Sequence, residues 1–171
     1  MAQQQTPEPT AERPGMPSGY GIAQGHDWTP MAWSTVNEQL ATAHNYWICT
    51  TRPDGRPHAM PVWGIWLDGA VYFSTDRASR KARNLAANPA LTVHLESGDE
   101  AVILEGKAEE ANDSALLARY VDAYDAKYSF RPDPQAPGQV TYALRLRSVL
   151  AWLERDFTNT ATRWRFGAAS A

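Results

Sequence analysis

The stretch Tyr72-Phe73-Ser74-Thr75-Asp76-Arg77-Ala78-Ser79-Arg80-Lys81-Ala82-Arg83-Asn84-Leu85 gathers the groups that hold an anion. Aromatic and hydroxyl residues of strand type run directly into residues that favour a helix. Backbone donors left free at a helix start attract phosphate. The hydroxyls of Ser74, Thr75 and Ser79 can donate hydrogen bonds to it, Arg80 adds a bidentate fork and Lys81 a point charge. Helical spacing places Arg77, Arg80, Lys81 and Asn84 on one face, and Ala78, Ala82 and Leu85 on another. An ordinary solvated surface helix also carries a basic face, so the stretch alone leaves both readings open.

A second stretch runs from His58 to Trp63. Strand alternation points His58, Met60 and Val62 one way and Ala59, Pro61 and Trp63 the other. A flat ring could lie along such a strand with backbone groups meeting its polar edge. An edge strand that tolerates Pro61 fits the same residues. His58, Tyr72 and Tyr124 are the side chains able to move a proton near such a ring. The remaining histidines, His26, His44 and His94, lack metal-ligand spacing and cysteine companions, so no metal is expected. No nucleophile-elbow turn supports hydrolysis, and no Gly-rich strand-to-helix turn supports a dinucleotide fold.

The elements that must position these groups follow from periodicity. Residues 1–30 are rich in Gln, Pro, Gly and Thr without apolar period, and read as a flexible arm ahead of one domain over 31–171. A helix is expected over 30–43 and strands over 46–51, 58–66 and 71–75. Asp76 is the expected N-cap of a helix ending at Ala87, ahead of Asn88-Pro89. Strands over 91–96 and 101–109, a helix over 113–128 and a proline-rich loop over 130–138 come next. Strands over 139–147, 149–154 and 162–166 complete the chain. Hairpins with two or three interposed helices predict an α+β, mainly antiparallel barrel, not a doubly wound parallel sheet.

Composition bounds the partners. The 171 residues suit one domain with a real core. A net charge of −3 argues against a nucleic-acid or anionic-membrane binder, so an anionic ligand needs a local basic cluster. The single cysteine, Cys49, lies in an apolar strand-like run and reads as a buried thiol compatible with a reducing cytoplasm. No apolar run reaches the roughly 18 residues of a membrane helix, and the N-terminus lacks the layout of a secretory signal. The seven tryptophans suit a barrel core, a dimer interface or a planar ligand.

Over about residues 17–166 the chain resembles the pyridoxamine 5′-phosphate oxidase-like split β-barrels, closest to their actinobacterial-type flavin and deazaflavin oxidoreductase branch. The resemblance rests on Tyr46-Trp47, Pro53-Asp54-Gly55-Arg56, Pro57-His58-Ala59-Met60-Pro61-Val62-Trp63-Gly64, Tyr72-Phe73-Ser74-Thr75 and Ser79-Arg80-Lys81-Ala82-Arg83-Asn84-Leu85. Glu105-Gly106 with Ala108, Lys127-Tyr128, Trp152 and Thr162-Arg163-Trp164-Arg165-Phe166 extend it. It implies a split barrel that binds coenzyme F420, or alternatively flavin mononucleotide (FMN), and passes a hydride from the reduced deazaflavin to a small organic acceptor. It assigns Ser79, Arg80 and Lys81 to the coenzyme phosphate, with Phe73, Ser74, Thr75 and Asn84 beside them, and His58, Met60, Pro61, Val62 and Trp63 to the ring. Trp152 and Arg163 are implied to reach a site shared across a homodimer. A non-catalytic binder of flavin, deazaflavin or haem is the other reading of the same fold. Two departures turn the expectation away from vitamin B6 chemistry. The ring-lining strand has His58 and Trp63 where basic residues are expected at both ends. The chain also closes on Trp164-Arg165-Phe166 in place of an Arg-Leu-x-Pro-like ending.

Overall fold

A computed structural model describes residues 9–20 and 27–167. The chain forms β1 (Ala11–Glu12), α1 (Trp33–Thr42), β2 (Tyr46–Thr51), β3 (Pro57–Val62), β4 (Ile65–Leu67) and β5 (Ala70–Asp76). It continues through α2 (Arg80–Ala87), β6 (Ala90–His94), β7 (Glu100–Glu110) and α3 (Ser114–Tyr128). The 15-residue β8 (Gln139–Leu153), the four-residue α4 (Phe157–Thr160) and β9 (Thr162–Arg165) complete it.

All strand pairs are antiparallel, in the order β1-β9-β8-β7-β6-β2-β3. The long β8 organises the sheet. One of its edges carries β7 along its length, and the other carries β5 over its first residues and β9 over its last. β4 pairs with β5 alone and β3 with β2 alone, so the sheet does not close. The hairpin between β4 and β5 turns on Asp68 and Gly69, both at positive φ, the geometry that an Asp-Gly pair supplies to a tight hairpin.

Strand alternation decides which face is buried. On β2, Tyr46, Ile48 and Thr50 point inward, whereas Trp47 and Cys49 stay half-exposed on the other face. The inward face joins Val36 and Leu40 of α1, Phe73, Val93, Leu104, Leu144, Val149 and Trp164 in the main core. A smaller cluster of Ile65, Tyr72, Tyr120, Val121 and Ala143 seats α3. No helix among the described residues is long and apolar enough to cross a membrane.

Several elements differ from the sequence expectation. The strand expected over 58–66 is two strands, broken at Trp63-Gly64. A Cβ on Gly64 would lie 3.0 Å from the Tyr72 carbonyl oxygen and 3.1 Å from the Tyr46 ring, so the chain turns there against packed neighbours. Ser79, not Asp76, caps α2: its hydroxyl accepts from Ala82 N–H at 3.2 Å, while Asp76 Oδ1 accepts from Ala78 N–H in the preceding turn. The strands expected over 139–147 and 149–154 are the single β8. The arm expected over 1–30 is, in its described part, laid on its own chain. There β1 pairs with β9, Trp28 Nε1 donates to Ala161 O at 3.0 Å, and Thr29 N–H donates to Asn159 O at 3.0 Å.

Candidate anion and coenzyme site

The loop from β5 to α2 turns sharply because its own side chains fold onto its backbone. Thr75 Oγ1 donates to Ser79 Oγ at 3.1 Å, and Ser79 N–H donates to Asp76 O at 2.9 Å. Ser79 Oγ therefore accepts twice, from Thr75 and from Ala82 N–H, which leaves its own proton to offer outward. The first intrahelical bond runs from Arg83 N–H to Ser79 O, so the backbone N–H groups of Arg80 and Lys81 lie ahead of it at the positive end of the helix.

The β2–β3 hairpin brings a further cation to this turn. Arg52, just past the end of β2, is held in the hairpin by Arg52 N–H to Arg56 O at 2.9 Å and Gly55 N–H to Arg52 O at 2.8 Å. Arg52, Arg80 and Lys81 all act on His58, the second residue of β3. Burial and then these three cations hold the imidazole below the usual histidine range. Burial likewise pushes the Lys81 ammonium down. Among the described residues, no ion pair involves Arg52, Arg80 or Lys81, and Arg52 Nε is buried without an acceptor. Asp54, the carboxylate of this hairpin, is tied to Arg56 at 2.7 Å. Arg52, Arg80 and Lys81 thus act together on His58, none of them ion-paired among the described residues, while Arg52 and Arg80 also act at longer range on the Asp54 carboxylate. Such a cluster of cations can hold an oxyanion.

Asn84 supports the site from beneath. It is fully buried, and its Nδ2 donates to Thr50 Oγ1 at 2.9 Å, which in turn lies 3.5 Å from His58 Nδ1. α2, β2 and β3 are thereby locked together behind the basic turn.

The structure unites some of the predicted residues and separates others. Thr75, Ser79, Arg80, Lys81 and His58 sit together. Beyond His58, β3 leaves Met60 and Pro61 exposed and Val62 half-buried, and Trp63 follows it exposed, so this edge strand presents an open surface leading away from the cations. Phe73 is fully buried in the core, and Ser74 points to the opposite side, bonded to Tyr120 Oη at 3.0 Å and Thr141 Oγ1 at 2.7 Å. Arg77 lies outside α2 and forms a bidentate pair with Glu110 of β7 at 2.7 and 2.8 Å. Tyr72 is buried under α3, and Tyr124 stands among Trp63, Tyr120, Tyr128 and Phe130. Trp152 stacks edge-on against Phe157, and Arg163 pairs with Leu150 across β8–β9. β8 meets Asp76 at Gln139, its opposite end from Trp152, about 40 Å away along an extended strand. Arg52 is absent from the sequence reading, because the hairpin that carries it reaches α2 only through the fold.

Comparison with known proteins agrees with this architecture. A protein-family model described as pyridoxamine 5′-phosphate oxidase matches residues 33–153. No curated protein matches the chain. Among solved structures, a conserved hypothetical protein from Mycobacterium tuberculosis is similar with a TM-score of 0.65 at 23% identity, covering 88% of this chain and 100% of that one. An F420 reductase matches with a TM-score of 0.54 at 24% identity over 66% of this chain and 94% of that one. A haem-binding protein from Mycobacterium smegmatis matches with a TM-score of 0.58 at 22% identity over 72% of this chain and 54% of that one. These identities speak for a shared split-barrel fold alone. The family match runs from the first residue of α1 to the last of β8, and this chain belongs to the pyridoxamine 5′-phosphate oxidase family.

Proposed function

We propose that this chain is an oxidoreductase that binds coenzyme F420, or alternatively FMN, by its anionic tail at the basic turn and reduces a small organic acceptor. The observation that carries the reading is the convergence of Arg52, Arg80 and Lys81, none ion-paired among the described residues, next to the N–H groups at the start of α2. The residues present fit such a group. The buried, acceptorless Arg52 Nε and the free Ser79 hydroxyl proton both want an oxygen atom, and exposed β3 offers a flat strand leading from them. When bound, the coenzyme supplies the hydride.

The chain's own part is to hold and shield. Arg80, Lys81, Arg52 and Ser79 fix the anionic tail, and backbone groups of β3 between His58 and Val62 meet the polar edge of the ring. Trp63 closes the far end against Tyr128, with which it stacks at 4.7 Å and 3°. No dedicated acid or base is required, since water can deliver the balancing proton. The reading includes a homodimer in which the partner covers the ring and contributes Trp152 and Arg163.

Replacing Arg80 and Lys81 together by Ala tests the reading. Titration with reduced or oxidised coenzyme F420 and with FMN, followed by fluorescence, is expected to show affinity reduced by more than about 2 kcal/mol, roughly 30-fold. An unchanged dissociation constant in the folded double variant sinks the phosphate assignment. Binding without turnover across quinone, tetrapyrrole and enone acceptors makes the chain a coenzyme-binding protein instead of an enzyme.

A further inference from the structure

We propose that the basic turn is a proton-linked oxyanion site: as a tetrahedral oxyanion settles among Arg52, Arg80 and Lys81, His58 takes up a proton and becomes a fourth positive ligand. The inference rests on the reading of this turn as an anion site, and adds how that site is regulated by pH.

The geometry sets up the coupling. His58 stands on β3 facing three groups of charge. From β2 and the hairpin come Arg52 and the Asp54–Arg56 pair, from α2 come Arg80 and Lys81, and behind it lies the neutral Thr50 hydroxyl. The carboxylate of Asp54 is engaged by Arg56 through three hydrogen bonds, one of them from the backbone, so it does little to favour a charged imidazole. A proton on His58 must then coexist with Arg52, Arg80 and Lys81, and the three cations oppose the charged imidazole. An oxyanion seated among them reverses the local sign. The repulsion is cancelled, and a protonated ring nitrogen gains an acceptor. Thr50 Oγ1 is fixed by Asn84 Nδ2, so the imidazole ring is held in place while its charge changes. By linkage, oxyanion affinity rises as pH falls from the anion-bound toward the anion-free titration midpoint of His58, and levels off below the latter.

The test reads the imidazole itself. The chain has four histidines, so the carbon-bound ring resonances are few, and His58→Gln identifies the His58 signal. Titrated at low ionic strength, His58 is expected to have its midpoint below the ordinary value of about 6.5. Added inorganic sulfate, which does not itself titrate in this range, is expected to raise it by about 1 unit or more. Chloride at matched ionic strength should raise it far less, and His44 and His94 should not follow. The response should disappear in the Arg80→Ala/Lys81→Ala variant, whose other histidine signals report its folding. FMN should move the midpoint and riboflavin, which lacks the phosphate, should not. A His58 midpoint that stays put through the sulfate titration, or that chloride moves equally, overturns the inference. Coenzyme binding that depends on Arg80 and Lys81 while His58 stays still leaves the proposed function standing and removes this inference. Sulfate coupling without coenzyme binding does the reverse.

Discussion

Lys127 holds its charge where no carboxylate among the described residues meets it. Its Nζ donates to Tyr46 Oη at 3.3 Å and to Gly64 O at 3.4 Å, and lies over the rings of Tyr46 and Tyr128 at 5.0 and 5.4 Å. Burial lowers its pKa to about 8, and burial pushes the Tyr46 and Tyr128 hydroxyls up, so both tyrosines keep their protons over the same range. In the unfolded chain the ammonium survives to about pH 10.4. Between the two values the unfolded state binds more protons, so Lys127 penalises folding fully below pH 8 and progressively less above it. Urea unfolding of the wild type and Lys127→Met at about pH 7 and about pH 9.5 should show the wild type gaining up to about 1 kcal/mol on the variant, the screened share for a half-exposed group. A gap that stays constant or moves the other way contradicts this placement. The basic turn is legible in the sequence because its groups are local. Ser79, Arg80 and Lys81 are neighbours in one turn, and a hydroxyl beside two cations announces itself. Arg52 was illegible because only the meeting of hairpin and helix gives it a purpose. Asn84, expected on the basic face, is buried instead, since only the fold supplies the Thr50 hydroxyl that accepts from its Nδ2, while its Oδ1 has no hydrogen-bond partner.

At the scale of elements, the pairing of β7 with β8 decides how the sheet bends. Its register shifts between Glu105 and Gly106, and a Cβ on Gly106 would lie 2.0 Å from the Arg145 carbonyl oxygen and 2.9 Å from Leu144 Cδ1. One of those obstacles is backbone, so relief requires β8 itself to move. Gly106→Ala is expected to destabilise the chain by about 2–4 kcal/mol in urea unfolding, with weaker coenzyme binding because β8 carries the β5 end of the basic turn. A variant within about 0.5 kcal/mol of wild type would mean that the strands slide without resistance. The span of β2 and the Asp-Gly hairpin are readable because strand-type residues and positive φ leave direct marks on residue type. The break at Trp63-Gly64 is not, since it depends on packing against Tyr46 and Tyr72. Cys49, expected to be buried, stands half-exposed because alternation turns it to the outer face. Ser148 falls between two expected strands, yet β8 runs through it, paired with Glu105 and Arg165, and its hydroxyl donates to Glu105 Oε2 at 2.7 Å. β1 and α4 are too short to carry any period at all.

The whole molecule shows its most informative surface on the face of the sheet away from the core. Pro61, Trp47, His94, Ile103, Leu150 and Arg163 stand in register across β3, β2, β6, β7, β8 and β9. Their strand neighbours Tyr46, Ile48, Val93, Val102, Leu104, Val149, Ala151 and Trp164 are almost wholly buried on the other side. Trp47 and His94 lie flat against each other at 6.0 Å and 2°. A soluble monomer has little reason to align a mostly apolar row with two aromatic rings on an open sheet face. A second copy on this face would cover β3 and could bring Trp152 and Arg163 toward the ring of its neighbour. Antiparallel topology was foreseeable from the order of hairpins, but this row was not, because it exists only once six strands share a register. Ile103→Lys places a charge at the middle of the row while leaving the core untouched. Sedimentation is expected to find the wild type dimeric and the variant monomeric, with monomer stability within about 1 kcal/mol and coenzyme affinity at least about tenfold weaker. A wild type that sediments as a monomer and still binds the coenzyme tightly would place the entire ring site within one chain, and the aromatic row would then need a different occupant.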